Sequence, residues 1–359
     1  MRRTVLALLI GSATAMLSAQ APVPAGFKLG TFQRQGTPFV GVVLGDTRVI
    51  DLAAADAALT PASNIATPRD MKDLIARYDK GVRSRIVELI ARVNAAGATR
   101  PSWVVDLSSL ETLPPIMYPQ TMLNMAVNYR EHALEMGGGD TSAAGPGAAL
   151  PGTKTAPGIW ERQAGDTRWN PYLFTKLPSA VIAAGESIKL PAGRTQIDWE
   201  CELGVVVGAR ASHVAADKAA DYIFGYTIEN DVSDRGGRGD TRHGSDWLIG
   251  KSHDTFAPLG PFIVPKEFVS DPQKLKVTFK LNGQVMQDAN TSLMIHTVFE
   301  QVSYASNILT LRPGDVIATG SPAGVGSART PPIFLKAGDV SECTYEGVGT
   351  LKNPVAGPS

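Results

Sequence analysis

Along this chain the apolar positions gather in short, often β-branched runs punctuated by Gly, Pro, Asn and Asp, and few stretches carry helical spacing. Residues 27–32, 39–44 and 48–52 read as strands, with Gly45-Asp46 as the turn between the last two. From 71 to 93 the residues Met71, Leu74, Ile75, Tyr78, Ile86, Leu89, Ile90 and Val93 mostly recur at the helical period, which Gly81 interrupts. The stretch 101–119, with Pro114-Pro115, reads as a linker. Residues 22–113 are therefore expected to form a small N-terminal α/β domain that serves packing or a dimer contact. The larger unit, 114–359, opens on a buried strand at 122–127 and continues through strands at 203–207 and 223–228. Residues 216–222 and 295–309 read as helices, and Asn282-Gly283 turns a hairpin between 275–281 and 284–287. The predicted class is α+β and β-rich.

Composition narrows the picture. At 359 residues the chain holds one large or two modest domains and can bury a substantial core. Its 34 basic and 34 acidic residues balance, so no electrostatic footprint for nucleic acid or an anionic membrane is present. The first 21 residues stand apart. Arg2-Arg3, an apolar run from 5 to 10 that continues to Leu17, and Ser18-Ala19-Gln20-Ala21 together read as a secretory signal peptide. The run is shorter than the ~20 residues that span a bilayer, so an exported protein, periplasmic or secreted and without a stable membrane anchor, is expected. The alternative is the plain N-terminus of a cytoplasmic protein. Two cysteines, Cys201 and Cys343, do not make a disulfide framework. Cys201 reads most simply as a buried, inert thiol, with a bridge to Cys343 as the alternative.

Candidate chemistry centres on Asp198-Trp199-Glu200-Cys201-Glu202. On a strand alternate residues share a face, so Asp198, Glu200 and Glu202 would lie together and repel unless a cation sits among them. An all-oxygen cluster suits Mg²⁺, Mn²⁺ or Ca²⁺; an exposed acidic strand end is the bland alternative. Asp231, closing the 223–228 strand region, is a candidate third ligand. His132 and Glu135 are three apart and would be neighbours on a helical turn, where the carboxylate orients the ring and raises its basicity. A surface His–Glu pair is the commoner outcome of that spacing. Residues 137–170, rich in Gly, Ala, Pro and Thr, read as a lid or an ordinary insertion. Lys251 reads on its surroundings as a solvated loop lysine. Thr319 and Ser321, in a loop after a strand, offer hydroxyls either to the loop itself or to a substrate.

In chain order the following blocks occur: Asn128-Tyr129 with His132 and Glu135; Glu200-Cys201-Glu202-Leu203-Gly204; Gly225-Tyr226 with Asp231-Val232-Ser233; Gly250-Lys251-Ser252; Leu281-Asn282-Gly283 with Gln287; and Pro313-Gly314-Asp315 through Gly326. Together they resemble the fumarylacetoacetate hydrolase family over residues 116–350, most nearly its smaller acylpyruvase-like members. The resemblance implies a catalytic domain of mixed, rolled β-sheets, usually a homodimer, with an octahedral divalent ion on Glu200, Glu202 and Asp231. It implies that His132 and Glu135 activate water, that Lys251 faces the substrate, and that Tyr129, Arg235, Arg238, Thr319 and Ser321 border it. Asp198 has no counterpart and is read as a supporting carboxylate. The chain departs from the pattern at Arg238, where fumarylacetoacetate-cleaving members carry a glutamine, at Ser321 in place of threonine, and at Gly236 in place of aspartate. The added guanidinium at 238 hints at an anionic group on the substrate, such as a second carboxylate.

The expected activity is thus metal-dependent hydrolysis of a carbon–carbon bond in a 1,3-diketo acid of the acylpyruvate type. The alternatives are decarboxylation of an oxaloacetate-like acid, or keto–enol isomerisation or hydration of an unsaturated oxo-diacid, on the same site. A non-catalytic exported oxo-acid-binding protein is the reading from another class.

Overall fold

A computed structural model describes residues 26–358, apart from 60–64, 98, 137–155, 162–163, 167, 240–241 and 243. The signal read at 1–21 and much of the lid read at 137–170 lie outside the described residues. The rest is organised by two large sheets, with Ile197–Asp198 and Ser233–Asp234 forming a separate two-stranded one. The larger has twelve strands, ordered along its path Val104–Asp106, Arg48–Asp51, Thr37–Leu44, Lys28–Arg34, Ala257–Pro265, Ile223–Asn230, Cys201–Val207, Val316–Ala318, Met122–Met125 and Leu173–Thr175. The second runs Gln284–Asn290, Lys276–Leu281, Val340–Tyr345, Gly349–Ala356 and Ile188–Lys189. Most pairings are antiparallel, but Val316–Ala318 lies parallel to Met122–Met125, so the larger sheet is mixed. The α+β, β-rich class with rolled, mixed sheets is what the chain adopts.

The Cys201–Val207 strand is the middle of the molecule. It pairs with Ile223–Asn230 on one side and Val316–Ala318 on the other, and all seven of its residues are buried. A strand covered on both faces needs apolar residues at successive positions, which is why Leu203 to Val207 is continuous and not alternating. The second sheet covers one of those faces, with Trp199 stacked on Phe279 at 5.1 Å between ring centroids. The helix Val298–Ile308, closed at its start by a Thr297/Glu300 capping box, packs Val298, Val302 and Ala305 into the same core.

The N-terminal elements follow the sequence closely. Strands Lys28–Arg34, Thr37–Leu44 and Arg48–Asp51 form a meander, and the helical region divides into Met71–Arg77 and Val82–Ala95. Gly81 makes the break, with a φ of 111° and the Ile65 side chain 2.3 Å from where a Cβ would stand. Two expectations are corrected. Residues 101–119 are not a plain linker, because Val104–Asp106 pairs with Arg48–Asp51 and Glu111–Leu113 pairs with Lys28–Arg34. Three-residue strands flanked by prolines are too short to show alternation. Cys201 is also not a free thiol: it is bridged to Cys343, 142 residues away, with 5.5 Å between the Cα atoms. Both cysteines are buried, and the bond joins the central strand to Val340–Tyr345 of the second sheet. Among the described residues no helix is long and apolar enough to cross a membrane.

Closing a loop of that length lowers the entropy of the unfolded chain by about 5 kcal/mol in the loop-closure account, and native disulfides typically contribute ~2–5 kcal/mol. Cys343→Ser should lower the unfolding free energy by an amount in that range. Denaturant melts of the oxidised wild type, the reduced wild type and the variant check this; superimposable curves would show that the bridge contributes nothing.

Candidate metal centre and active site

Adjacent antiparallel strands bring the acids together. Ile197–Asp198 pairs with Ser233–Asp234, and in the neighbouring ladder Cys201 lies opposite Asn230 and Glu202 opposite Glu229. The ladder is interrupted at 199–200, where Asn230 Oδ1 accepts from the Glu200 N–H at 3.1 Å and Glu200 O accepts from the Asp231 N–H at 2.8 Å. Those two bonds turn Asp231 towards the acidic strand. One carboxylate oxygen from each of Glu200, Glu202 and Asp231 lies within 4.8 Å of the others, and all three residues are buried. The exposed-strand reading of these acids does not hold.

Three cations face them. Lys251 is 2 % exposed and not a solvated loop lysine. It ends the short helix Trp247–Lys251, whose start is capped by Asp246, and its Nζ donates to Glu200 Oε2 at 2.7 Å, Asp231 Oδ2 at 2.6 Å and Ser233 Oγ at 2.7 Å. Lys176, fully buried, donates to Asp231 Oδ1 and, at 2.9 Å, to Val232 O. Arg235 bonds Asp198 Oδ1 at 2.7 Å through Nε and Glu200 Oε1 through Nη2. Asp198 also accepts from the Ser327 N–H at 2.9 Å, so its role is to hold Arg235 and that loop.

The His132–Glu135 pair sits on the helix Arg130–Glu135. His132 Nδ1 is 2.7 Å from Glu135 Oε1, and Glu135 is anchored by the Gly324 N–H at 2.8 Å. His132 Nε2 points to Glu200 Oε1 at 3.7 Å, so the imidazole borders the carboxylate cluster and is buried. Tyr129 caps the start of this helix from within the core. Ser321 Oγ accepts from Gln287 Nε2 at 2.8 Å and donates to Pro322 O at 3.1 Å, which satisfies the loop. Thr319 Oγ1 is buried and has no hydrogen-bond partner among the described residues.

Electrostatics single out Glu202. Burial works against the Glu200 charge, but Lys251, Arg235 and His132 outweigh it and hold its pKa well below the usual carboxylate range. Glu202 has the opposite balance: burial, then the Asp231, Glu229 and Glu200 charges, push it well above that range. Its Oε2 accepts from the Gly320 N–H at 2.8 Å. Glu229 is pushed up to about 8 by burial and Asp231, and its Oε1 has no partner. Among the described residues, the lysines and arginines that pair with Asp198, Glu200 and Asp231 are Lys176, Arg235 and Lys251, three cations beside the five acids Asp198, Glu200, Glu202, Glu229 and Asp231. A divalent cation beside Glu202 would close that deficit, and its preferred oxygen donors are the ones present. The residues fit such an ion.

Beside the cluster lies a cavity of about 640 Å³, lined by Glu135, Met136, Arg235, Arg238, Ser245 and Ser327 among others. The described end of the 137–170 loop is fastened to the helix Val298–Ile308 and the residues just before it. Arg168 pairs with Asp166 at 2.9 Å and Glu300 at 2.8 Å, and the Trp169 carbonyl is 2.9 Å from His296 Nε2. Sequence reasoning missed Lys176, Glu229 and Asn124, whose Nδ2 donates to Glu229 Oε2 at 2.6 Å. A polar residue inside the buried run Met122–Met125 was a usable signal for Asn124. Lys176 carried none.

The family described as fumarylacetoacetate (FAA) hydrolase, C-terminal, matches residues 121–356. The chain is 33 % identical over 284 residues to the mitochondrial oxaloacetate tautomerase fahd2 of Xenopus laevis, covering 77 % of this chain and 80 % of that protein. It is 34 % identical over 335 residues to the oxaloacetate tautomerase YisK of Bacillus subtilis (strain 168), covering 91 % and 99 %. Among solved structures, maleylpyruvate hydrolase from Sphingobium sp. SYK-6, in complex with manganese(II) ion and pyruvate, superposes with a TM-score of 0.66 at 26 % identity, over 92 % of this chain and all of that one. The chain belongs to the fumarylacetoacetate hydrolase family.

Proposed function

We propose that this protein catalyses the keto–enol tautomerisation of a 2-oxo diacid of the oxaloacetate type. The observation that carries the reading is the imidazole of His132, oriented by Glu135 and with Nε2 3.7 Å from Glu200 of the carboxylate cluster, which sets a base at the edge of the group of acids that would hold a divalent ion. Similarity to two oxaloacetate tautomerases supports tautomerisation over the carbon–carbon hydrolysis expected from sequence. Hydrolysis remains the second reading, supported by the likeness to maleylpyruvate hydrolase; it needs a water at the same imidazole.

Glu200, Glu202 and Asp231 would hold a divalent cation, Mg²⁺, Mn²⁺ or Ca²⁺, which when bound supplies Lewis-acid polarisation of the oxo group. As general base His132 takes a proton at Nε2 from the methylene carbon, leaving the enolate, and returns it to the enolate oxygen to give the enol; the reverse transfers give the keto form. Its Nδ1–H stays on the ring and donates to Glu135 Oε1 at 2.7 Å, which fixes the ring and stabilises the imidazolium. Lys251 and Lys176 act as fixed positive charges. Burial disfavours the Lys251 ammonium, but Asp231 and Glu200 prevail and raise its pKa, so it stays charged throughout. Arg235 neutralises Asp198 and Glu200. Positioned acid–base groups of this kind contribute ~10²–10⁴-fold in rate.

The same proposal includes export and a homodimer. Export is supported by the Arg2-Arg3 leader pattern and by a disulfide, a bond that persists in oxidising compartments. Cell fractionation and light scattering test the two.

Enol absorbance followed with oxaloacetate, under Mg²⁺, Mn²⁺ or EDTA, tests the reaction. Equilibration should be metal-dependent and should occur without pyruvate or carbon dioxide. Cleavage of acylpyruvates with no effect on oxaloacetate would replace this reading by the hydrolase. His132→Gln should lower kcat by ~10²–10⁴-fold and leave Mn²⁺ affinity within a few-fold; full activity would exclude His132 as the base. Glu202→Gln should remove Mn²⁺ binding in a calorimetric titration of a folded protein. Retention of wild-type affinity would show that the ion is held elsewhere.

A further inference from the structure

Two arginines border the same cavity, and the structure gives them different tasks. Arg235 is bound on both sides by carboxylates, Asp198 and Glu200, so its charge is already balanced inside the protein. Arg238 is held without one. Its Nε donates to the backbone oxygen of Asp234 at 2.7 Å, and its guanidinium carbon lies 5.6 Å from the centroid of Trp247. The Asp234 carboxylate is engaged elsewhere, by Arg194, by the Gly236 N–H at 2.9 Å and by His253 at 3.3 Å. Among the described residues no carboxylate lies within ion-pair distance of Arg238.

The seat of Arg238 depends on one glycine. A Cβ on Gly250 would stand 2.6 Å from both Cζ and Nε of Arg238, so the guanidinium lies directly over the backbone that precedes Lys251. Trp247 and Gly250 belong to the one short helix that also presents Lys251 to the carboxylate cluster. The cation at the cavity wall and the buried lysine are therefore positioned by the same element. A guanidinium fixed at its Nε and along its face presents its remaining N–H groups in a plane, the geometry that takes a carboxylate in two parallel bonds.

We infer that Arg238, and not Arg235, reads a second carboxylate at the far end of the substrate and makes this site selective for diacids over monoacids. The inference rests on the proposed reading of the site as one for oxo acids. Burial and the neighbouring Arg235 press its pKa down against the more distant Glu200, Asp231 and Asp234, and among the described residues no carboxylate is close enough to pair with it. An anionic substrate group would supply that partner. Arg235 then governs the carboxylate cluster, and Arg238 the length and charge of what is accepted.

Oxaloacetate and 2-oxobutanoate have the same chain length and differ in a carboxylate for a methyl group. Their dissociation constants on the Mn²⁺-loaded protein, by calorimetry, and their KM and kcat values are compared for wild type, Arg238→Gln and Gly250→Ala. Wild type should prefer the diacid by ~10- to 100-fold, the range of a charge-assisted pair. Arg238→Gln should abolish that preference in the dissociation constants and in KM. Gly250→Ala keeps the guanidinium but lifts it from its seat, and should reduce the preference part of the way. Equal weakening of both acids in Arg238→Gln, or no preference in wild type, would overturn the inference. A preference seen in binding without tautomerisation of either acid would leave this inference standing and reject the proposed reaction instead.

Discussion

Burying five carboxylates around one point is the constraint on which the site depends. Each of Asp198, Glu200, Glu202, Glu229 and Asp231 gives up hydration, and such a charge is tolerated only when paired. The chain supplies partners from distant places: Lys176 from the end of an outer strand, Arg235 from the turn after Asp231, and Lys251 from a five-residue helix. Where those partners suffice, as at Glu200, the pKa is held well below the ordinary carboxylate range; where they do not, as at Glu202, burial and the neighbouring acids push it well above. The imbalance marks the place for a cation more sharply than the presence of acids does. Acids on strands are common, but acids that lack counter-charge in a dry interior are not.

The backbone makes this arrangement cheap to hold. Asp231 is turned inward by the hydrogen bond from its own N–H to the Glu200 carbonyl, Glu135 by the Gly324 N–H, and Glu202 by the Gly320 N–H. These backbone groups belong to the loop after Val316–Ala318 and to the residue just before Cys201–Val207, so they flank the paired strands at the middle of the larger sheet. Side chains that touch the reacting atoms are therefore oriented by groups that mutation cannot easily remove. The hydroxyl of Ser321 falls on the same loop but is absorbed by Gln287, which is a loop-stabilising role.

How much of this was legible follows from range. The alternation at 198–202 and the three-residue spacing of His132 and Glu135 are local, and the structure brings those residues together with Asp231. The apolar run of the central strand and the helix broken at Gly81 were equally local and equally readable. What stayed hidden is long-range. Lys176 reaches Asp231 across 55 positions, and Cys201 reaches Cys343 across 142, without any pattern near either partner. Lys251 sits among polar and glycine residues that suggest solvent, and only the helix capped at Asp246 turns it inward. The short strands of 101–119 were obscured by prolines and recognised only by their partners.

The pairing of Leu29 with Ile263 has a bearing on what can be isolated from this chain. The family-matching region begins at 121, yet its strand Ala257–Pro265 is covered by Lys28–Arg34, and residues such as Val206, Phe224, Leu259 and Val316 share one apolar cluster with the N-terminal helices. Cut at 121, the remainder would present an unprotected row of N–H and C=O groups beside bare apolar surface. Such an edge templates association with another copy. The N-terminal region therefore acts as a built-in solubilising cover, and the smallest unit able to stay dispersed includes it.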